Sequence, residues 1–311
     1  MSNLNVETPP ARVPKRRRLR QLARALNLPR PMAVVDVGAN PINTPSYENL
    51  LRVGAGRLVG FEPDPAAFEA LQKEAANGDR TYLPYAIGPE GRYVFRAHQI
   101  NSLSSLFPFR PAAARFMGKM HWIRRRVDEI EMDLHQLDRL EDVPPIDFLK
   151  MDAQGAELAI LEGGRQKLSK AVAIMPEVAF YRIYDGQPLM RDIDQEMERQ
   201  GFVLHKILFQ KPALLPSSQS KRLHRRRAAS QSIDGDAVWI RNMEEPEDLT
   251  SDQIKHLALC ADSVFESPDL VLMCLDILVA RGEVTRKLPS TYVDMLPPEV
   301  LADPVAARSD E

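Results

Sequence analysis

The chain has little cysteine, no long apolar run, and few glycines where a dinucleotide would need them. Cys260 and Cys274 are its only cysteines, and they form no CxxC pair or His/Cys ligand spacing. This argues against a disulfide framework and a structural zinc site and suits a reducing, cytoplasmic setting. No apolar run approaches the ~20 residues a membrane span needs. The basic stretch from Lys15 to Arg20 is not followed by an apolar segment long enough for a secretory signal. No cluster of acids with an asparagine declares a Mg²⁺ site, so no metal is assigned.

What is present describes an ordinary globular chain: 311 residues, 44% hydrophobic and 27% charged. That length can bury one large core and still carry extensions. The net charge of −2 hides a strong polarity. Residues 12–30 hold eight Lys/Arg, residues 108–127 six and residues 221–227 five, none with an acid among them. Residues 244–311 carry fifteen Asp/Glu against five Lys/Arg. Such a distribution points to an anionic partner, or to acidic segments docking on the chain's own basic surfaces, or simply to solvated faces.

Short valine-rich runs alternate with helical segments, the pattern of an α/β doubly wound, mostly parallel sheet. MAVVDVG (32–38), RLVGFE (57–62) and RTYLPYAIG (80–88) read as the first three strands. PIDFLKMD (145–152) and AVAIMPEVAF (171–180) continue the sheet. FVLHKIL (202–208) and DAVWIRN (236–242) complete it, separated by a long polar loop. Helices are expected at 46–53, 63–78, 154–169 and 187–200. Residues 90–107 and 124–133 form an extra hairpin with NSLSSL at its tip. The expected organisation is a flexible leader and basic helix over 1–30, a Rossmann-like domain over 31–243, and an acidic helical extension over 244–311. Residues 268–281 are apolar around nearly the whole helix, which calls for burial against the main domain or another copy and makes a homo-oligomer through 244–311 reasonable.

Ligands of an open parallel sheet sit beyond the carboxyl ends of its strands. Here those ends carry Asp36, Glu62, Asp152 and Glu177. Strand termination or helix capping accounts for any one of them; four in order on an apolar sheet suggest a site. Glu62 follows Asp36 by 26 residues, close to the offset of about 20 at which an acid accepts ribose hydroxyls. The first loop is GANPIN rather than GxGxxG, which disfavours a pyrophosphate and hence a nicotinamide or flavin dinucleotide. An acidic rim suits a cationic adenosine ligand such as S-adenosylmethionine.

VVDVGAN, VGFEPDP, YAIG, NSLSSL, IDFLKMDAQGAELAILEGG and GDAVWIR together resemble the FkbM-type S-adenosylmethionine-dependent methyltransferases over roughly residues 32–242. The resemblance implies a Rossmann-like methyltransferase fold and O-methylation of a hydroxyl on a sugar, glycolipid, polysaccharide or related natural product. It further implies that Asp36, Gly38 and Asn40 line the methionine end of the cofactor, that Glu62 holds the ribose, that Ala86 and Ile87 flank adenine, and that Asp152 faces the reacting centre. Pro41 and Ile42 occupy the stretch where the family usually has a glycine two residues after the asparagine, and proline biases Asn40 toward an extended backbone.

Methyl transfer from a sulfonium needs alignment and a proton acceptor. The candidates for the acceptor are Asp152, Glu177 and His205, although a histidine inside a strand is commonly a packing residue. His98, Ser104 and Ser105 on the excursion are candidates for contact with the acceptor, a hydroxyl-bearing glycan or small molecule that the basic segments allow to be anionic. Those segments also allow peripheral contact with a membrane surface. Two other readings stand beside this one. A nucleic-acid methyltransferase would track phosphates with the basic runs, but aromatics for base stacking do not interleave them. A non-catalytic Rossmann-like assembly module would have lost the cofactor through its altered first loop.

Overall fold

MAVVDV is buried along almost its whole length, which the interior of a parallel sheet covered on both faces provides. A computed structural model of the chain describes residues 13–39, 44–75 and 78–302. Asn40, Pro41 and Ile42 lie outside the described residues, as does most of the expected leader. The strands are β1 (Met32–Val37), β2 (Gly56–Phe61), β3 (Arg80–Leu83), β4 (Ala86–Ile87), β5 (Gly91–His98), β6 (Val127–His135), β7 (Phe148–Met151), β8 (Ala173–Ala179), β9 (Phe202–Ala213) and β10 (Gln231–Arg241). The helices are α1 (Lys15–Leu26), α2 (Glu48–Arg52), α3 (Pro65–Glu74), α4 (Pro111–Phe116), α5 (Glu157–Glu162), α6 (Met190–Arg199), α7 (Ser251–Ser263), α8 (Pro268–Ala280) and α9 (Leu288–Val293).

Seven strands form one sheet in the order β3-β2-β1-β7-β8-β10-β9. Neighbours pair in parallel from β3 to β8, whereas β10 runs antiparallel to both β8 and β9. The order reverses between β1 and β7, the switch point beyond whose carboxyl ends sheets of this kind form their ligand crevice. Alternation along each strand serves two layers. Val34, Phe148 and Val238 face a core shared with α1, α2, α7, α8 and α9. Val35, Leu149 and Trp239 face the core under α5 and α6. The stretch 244–296 therefore shares a core with the sheet.

Several boundaries differ from the sequence expectation for local reasons. The third run divides at Pro84, which has no N–H to give a ladder. Arg80–Leu83 stays in the main sheet, while Ala86–Ile87 opens a second sheet, β4-β6-β5. β9 runs on past 208 to Ala213 with Pro212 inside it, which an edge strand tolerates. The polar loop shrinks accordingly to 214–230. α5 stops at Glu162 before Gly163 and Gly164. The helix expected to be buried all round turns Met273 to solvent at 43% exposure. α7, by contrast, is buried at every residue from Gln253 to Ser263, and its Thr250–Gln253 capping box fixes where it begins.

Candidate active site

The crevice is held together by backbone hydrogen bonds that carry the sheet past its strand ends. Gly38 and Ala39 donate to the Phe61 carbonyl at 3.2 and 3.0 Å, Glu62 donates to Leu83 at 3.1 Å, and Asp152 donates to Val37 at 3.0 Å. Gly38 has a φ of +84°, and a Cβ there would lie 2.3 Å from the Asp152 carbonyl oxygen. Only glycine lets the β1 and β7 exits approach this closely.

Two rim acids differ in availability. Asp36 is buried, accepts from the Tyr47 hydroxyl at 2.6 Å, and pairs with the Lys150 ammonium at 3.2 Å. Burial pushes its carboxyl up against the pull of Lys150 and Tyr47. Burial works against charge on Lys150 too, but Asp36, Asp152 and Asp236 hold its ammonium above the ordinary range. Glu62 is less committed. One oxygen accepts from the Asp64 N–H at 2.8 Å, and burial, with Asp64 and Asp36 nearby, raises its carboxyl.

Next to the crevice, Gln154 joins Asp152 to Glu177. Its amide nitrogen donates to Asp152 Oδ1 at 2.6 Å and to Glu177 Oε2 at 2.8 Å. Burial pushes Glu177 up to about 9, helped by Asp152, Glu157 and Asp234. It is therefore protonated at neutral pH, while Asp152 stands exposed at the crevice. Glu157 is buried and accepts from the Ala153 and Gly155 N–H groups, both at 2.9 Å. Burial carries it up to about 7. It shapes the loop between Asp152 and α5.

On the far side of the Gln154 bridge lies a cavity of about 870 Å³ whose lining includes Glu177, Asp234, Trp122, Tyr181, Tyr184 and Lys119. The volume falls in the range of small-molecule sites. The Tyr184 hydroxyl is buried without a hydrogen-bond partner among the described residues. Asp234 and Asp236, which the sequence reading passed over, reach this edge because β10 is antiparallel and brings its beginning beside the end of β8, with Asp236 opposite Glu177.

Other candidates are placed differently from expectation. His205 points away from the carboxyl edge: its ring packs on Phe265 and its Nε2 lies 2.9 Å from the Ser267 hydroxyl. It is not a base for this site. His98 is buried with both ring nitrogens engaged, Nδ1 accepting from Ile100 N–H and Nε2 bonded to the Trp122 carbonyl, each at 2.9 Å. The Ser104 hydroxyl accepts from the His98 N–H. Ser105, also buried, donates to the Gln154 carbonyl at 2.6 Å. None of the three lines the cavity. Such side chains readily spend themselves on nearby backbone. They act one layer back, with His98 setting Trp122 and Ser105 setting the Gln154 bridge. Ala86 and Ile87 belong to the second sheet, paired with Leu134 and His135.

Residues 36–204 match the methyltransferase FkbM domain, and the chain belongs to that family. It is an S-adenosylmethionine-dependent methyltransferase with a Rossmann-like sheet. Its curated relatives include the 2-O-methyltransferase NoeI of Sinorhizobium fredii, 29% identical over 184 residues that cover 56% of this chain and 74% of the relative. Among solved structures, magnesium protoporphyrin IX methyltransferase from Synechocystis PCC 6803, with bound SAM, aligns at 11% identity and a TM-score of 0.36, covering 73% of this chain and 79% of that one. A putative tRNA (m1A22) methyltransferase from Streptococcus pneumoniae aligns at 14% identity and a TM-score of 0.35, covering 89% and 94%. Among the described residues no helix is long and apolar enough to cross a membrane.

Proposed function

We propose that the chain methylates a hydroxyl of a polyhydroxylated acceptor, such as a sugar or glycan, with Asp152 as the proton acceptor. The Gln154 bridge, which sets an exposed carboxylate beside a protonated one on the wall between crevice and cavity, carries this reading. A relative that is a 2-O-methyltransferase supports oxygen as the methylated atom.

The residues present fit the methyl donor. Glu62, at the β2 exit, has one oxygen on the Asp64 N–H and keeps acceptor capacity for a ribose diol. On this reading Ala86 and Ile87, at the start of the second sheet, would flank adenine. When bound, S-adenosylmethionine supplies a methyl carbon activated by its sulfonium. Asp152 would take the proton of the acceptor hydroxyl, a general-base contribution of ~10²–10⁴-fold beyond positioning. Glu177, neutral at its raised value, donates a hydrogen bond that orients the acceptor, and the unpaired Tyr184 hydroxyl donates or accepts a second. Trp122 and Tyr181 offer aromatic surfaces for a sugar ring.

The test incubates the protein with methyl-deuterated donor and a panel of mono- and oligosaccharides, then locates the label by mass spectrometry. O-linked label, lost in Asp152→Asn while the variant keeps its melting temperature, is expected. Label on nitrogen or carbon only, or undiminished turnover by Asp152→Asn, contradicts the reading.

A further inference from the structure

The cavity lining combines the carboxyl groups of Glu177 and Asp234 with the cations Lys119, Arg225 and Arg226. Cations elsewhere around this edge are matched: Lys211 pairs with Asp234 at 3.0 Å, Lys150 with Asp36 at 3.2 Å, and Arg110 with Asp185 at 3.4 Å. Lys119, Arg225 and Arg226 form no ion pair among the described residues. They come from two segments without acids, 108–127 and the β9–β10 loop 214–230, which meet across the cavity. Lys119 is half-buried with its ammonium 5.9 Å from the centre of the Trp122 ring.

Burial, followed by the repulsion of Arg225, lowers the Lys119 ammonium from its ordinary value. A half-buried lysine and two exposed arginines from separate loops thus line one cavity with no acid paired to them among the described residues, and an anion bound between them would relieve their mutual repulsion.

Resting on the methyltransferase reading of the same site, we propose that the acceptor carries a phosphate ester, held by Lys119, Arg225 and Arg226 while its hydroxyl reaches toward Asp152 and Glu177. The polarity of the cavity sets the direction of binding. A neutral hydroxyl suits the carboxyl groups, and a doubly charged phosphate suits the guanidinium pair, which can bind its oxygens in fork geometry. The shared chemistry is a sugar-phosphate ester, whether on a soluble molecule or on a lipid headgroup.

Calorimetric titration of the full chain, saturated with S-adenosylhomocysteine, with glucose 1-phosphate and with glucose tests this. The phosphate ester is expected to bind at least about tenfold tighter than glucose, the effect of one good charge-assisted contact. The Lys119→Gln/Arg225→Gln/Arg226→Gln variant is expected to lose that advantage and keep wild-type affinity for S-adenosylhomocysteine. Sedimentation with vesicles containing phosphatidylinositol 4-phosphate, whose headgroup is a polyhydroxylated ring bearing a phosphate monoester, with capture counted only above that on phosphatidylglycerol vesicles as the charge control, distinguishes the source. Capture of the wild type but not the triple variant, without glucose 1-phosphate binding, places the phosphate on a lipid and also supports the proposal. Equal binding of the two sugars with no such capture overturns it, as does an unchanged phosphate preference in the triple variant. Failure of S-adenosylhomocysteine to bind counts against the methyltransferase reading alone, because the phosphate preference is still measurable without it.

Discussion

At the scale of single residues, the account rests on two carboxyls whose surroundings differ. Glu177 moves from the ordinary 4.5 to about 9 on burial beside Asp152. Its folded-state value lies above its unfolded one, so its contribution to stability is full below about pH 4.5 and is lost as pH rises through about 9. Glu177→Gln is therefore expected to flatten the fall in melting temperature between pH 6 and 9, read by calorimetry at matched ionic strength. A variant as steep as the wild type contradicts the assignment. Gly38→Ala is a second test. Its Cβ would meet the Asp152 carbonyl oxygen at 2.3 Å on a backbone with positive φ, so the β1 and β7 exits must part. The expected result is loss of S-adenosylhomocysteine binding together with a lower melting temperature; wild-type affinity contradicts it. Asp36, Glu62, Asp152 and Glu177 could be placed within about two residues of the carboxyl ends of their strands from the sequence, because the end of an apolar run shows roughly where a strand stops. Gln154 and Tyr184 could not, since their positions depend on a loop and on packing. His98 and Ser105 were polar residues in a suggestive place, and the loop had already used their hydrogen bonds for itself.

At the scale of elements, the parallel strands were legible because burial on both faces leaves unbroken apolar runs. The direction of β10 was not, because alternation looks the same from either end of a strand. That direction decides whether Asp234 and Asp236 reach the cavity edge or the opposite one. The α1–α7 junction carries its own prediction. Arg18 pairs with Asp262 at 2.6 Å, with Asp262 fully enclosed and also accepting from the Tyr292 hydroxyl at 2.8 Å. Removing one partner of a buried pair leaves the other charge stranded. Arg18→Met is thus expected to lower stability by ~3–5 kcal/mol in urea titration, and a change within error contradicts this packing. The pair also realises one alternative raised by the sequence, acidic residues of the C-terminal part docking on the chain's own basic helix, as Lys15 does with Glu266.

At the scale of the whole molecule, charge is sorted by region. The sheet edge concentrates acids, the two cation-rich segments stand over the cavity, and the helices after 244 close one face of the core. Those helices bury Leu257, Leu259 and Leu275 against the layer that includes Val34 and Phe148, so a chain ending at 243 would expose that layer. Such a truncation is expected to give no cooperative melting transition. A soluble, cooperatively folded 31–243 fragment would instead establish the last segment as a separable extension. The most direct measurement on the central claim is the thermal shift of the intact protein with S-adenosylhomocysteine and with NAD, repeated on Glu62→Ala. The account predicts stabilisation by S-adenosylhomocysteine alone, abolished by Glu62→Ala. No shift with S-adenosylhomocysteine, or an undiminished shift in that variant, would contradict it.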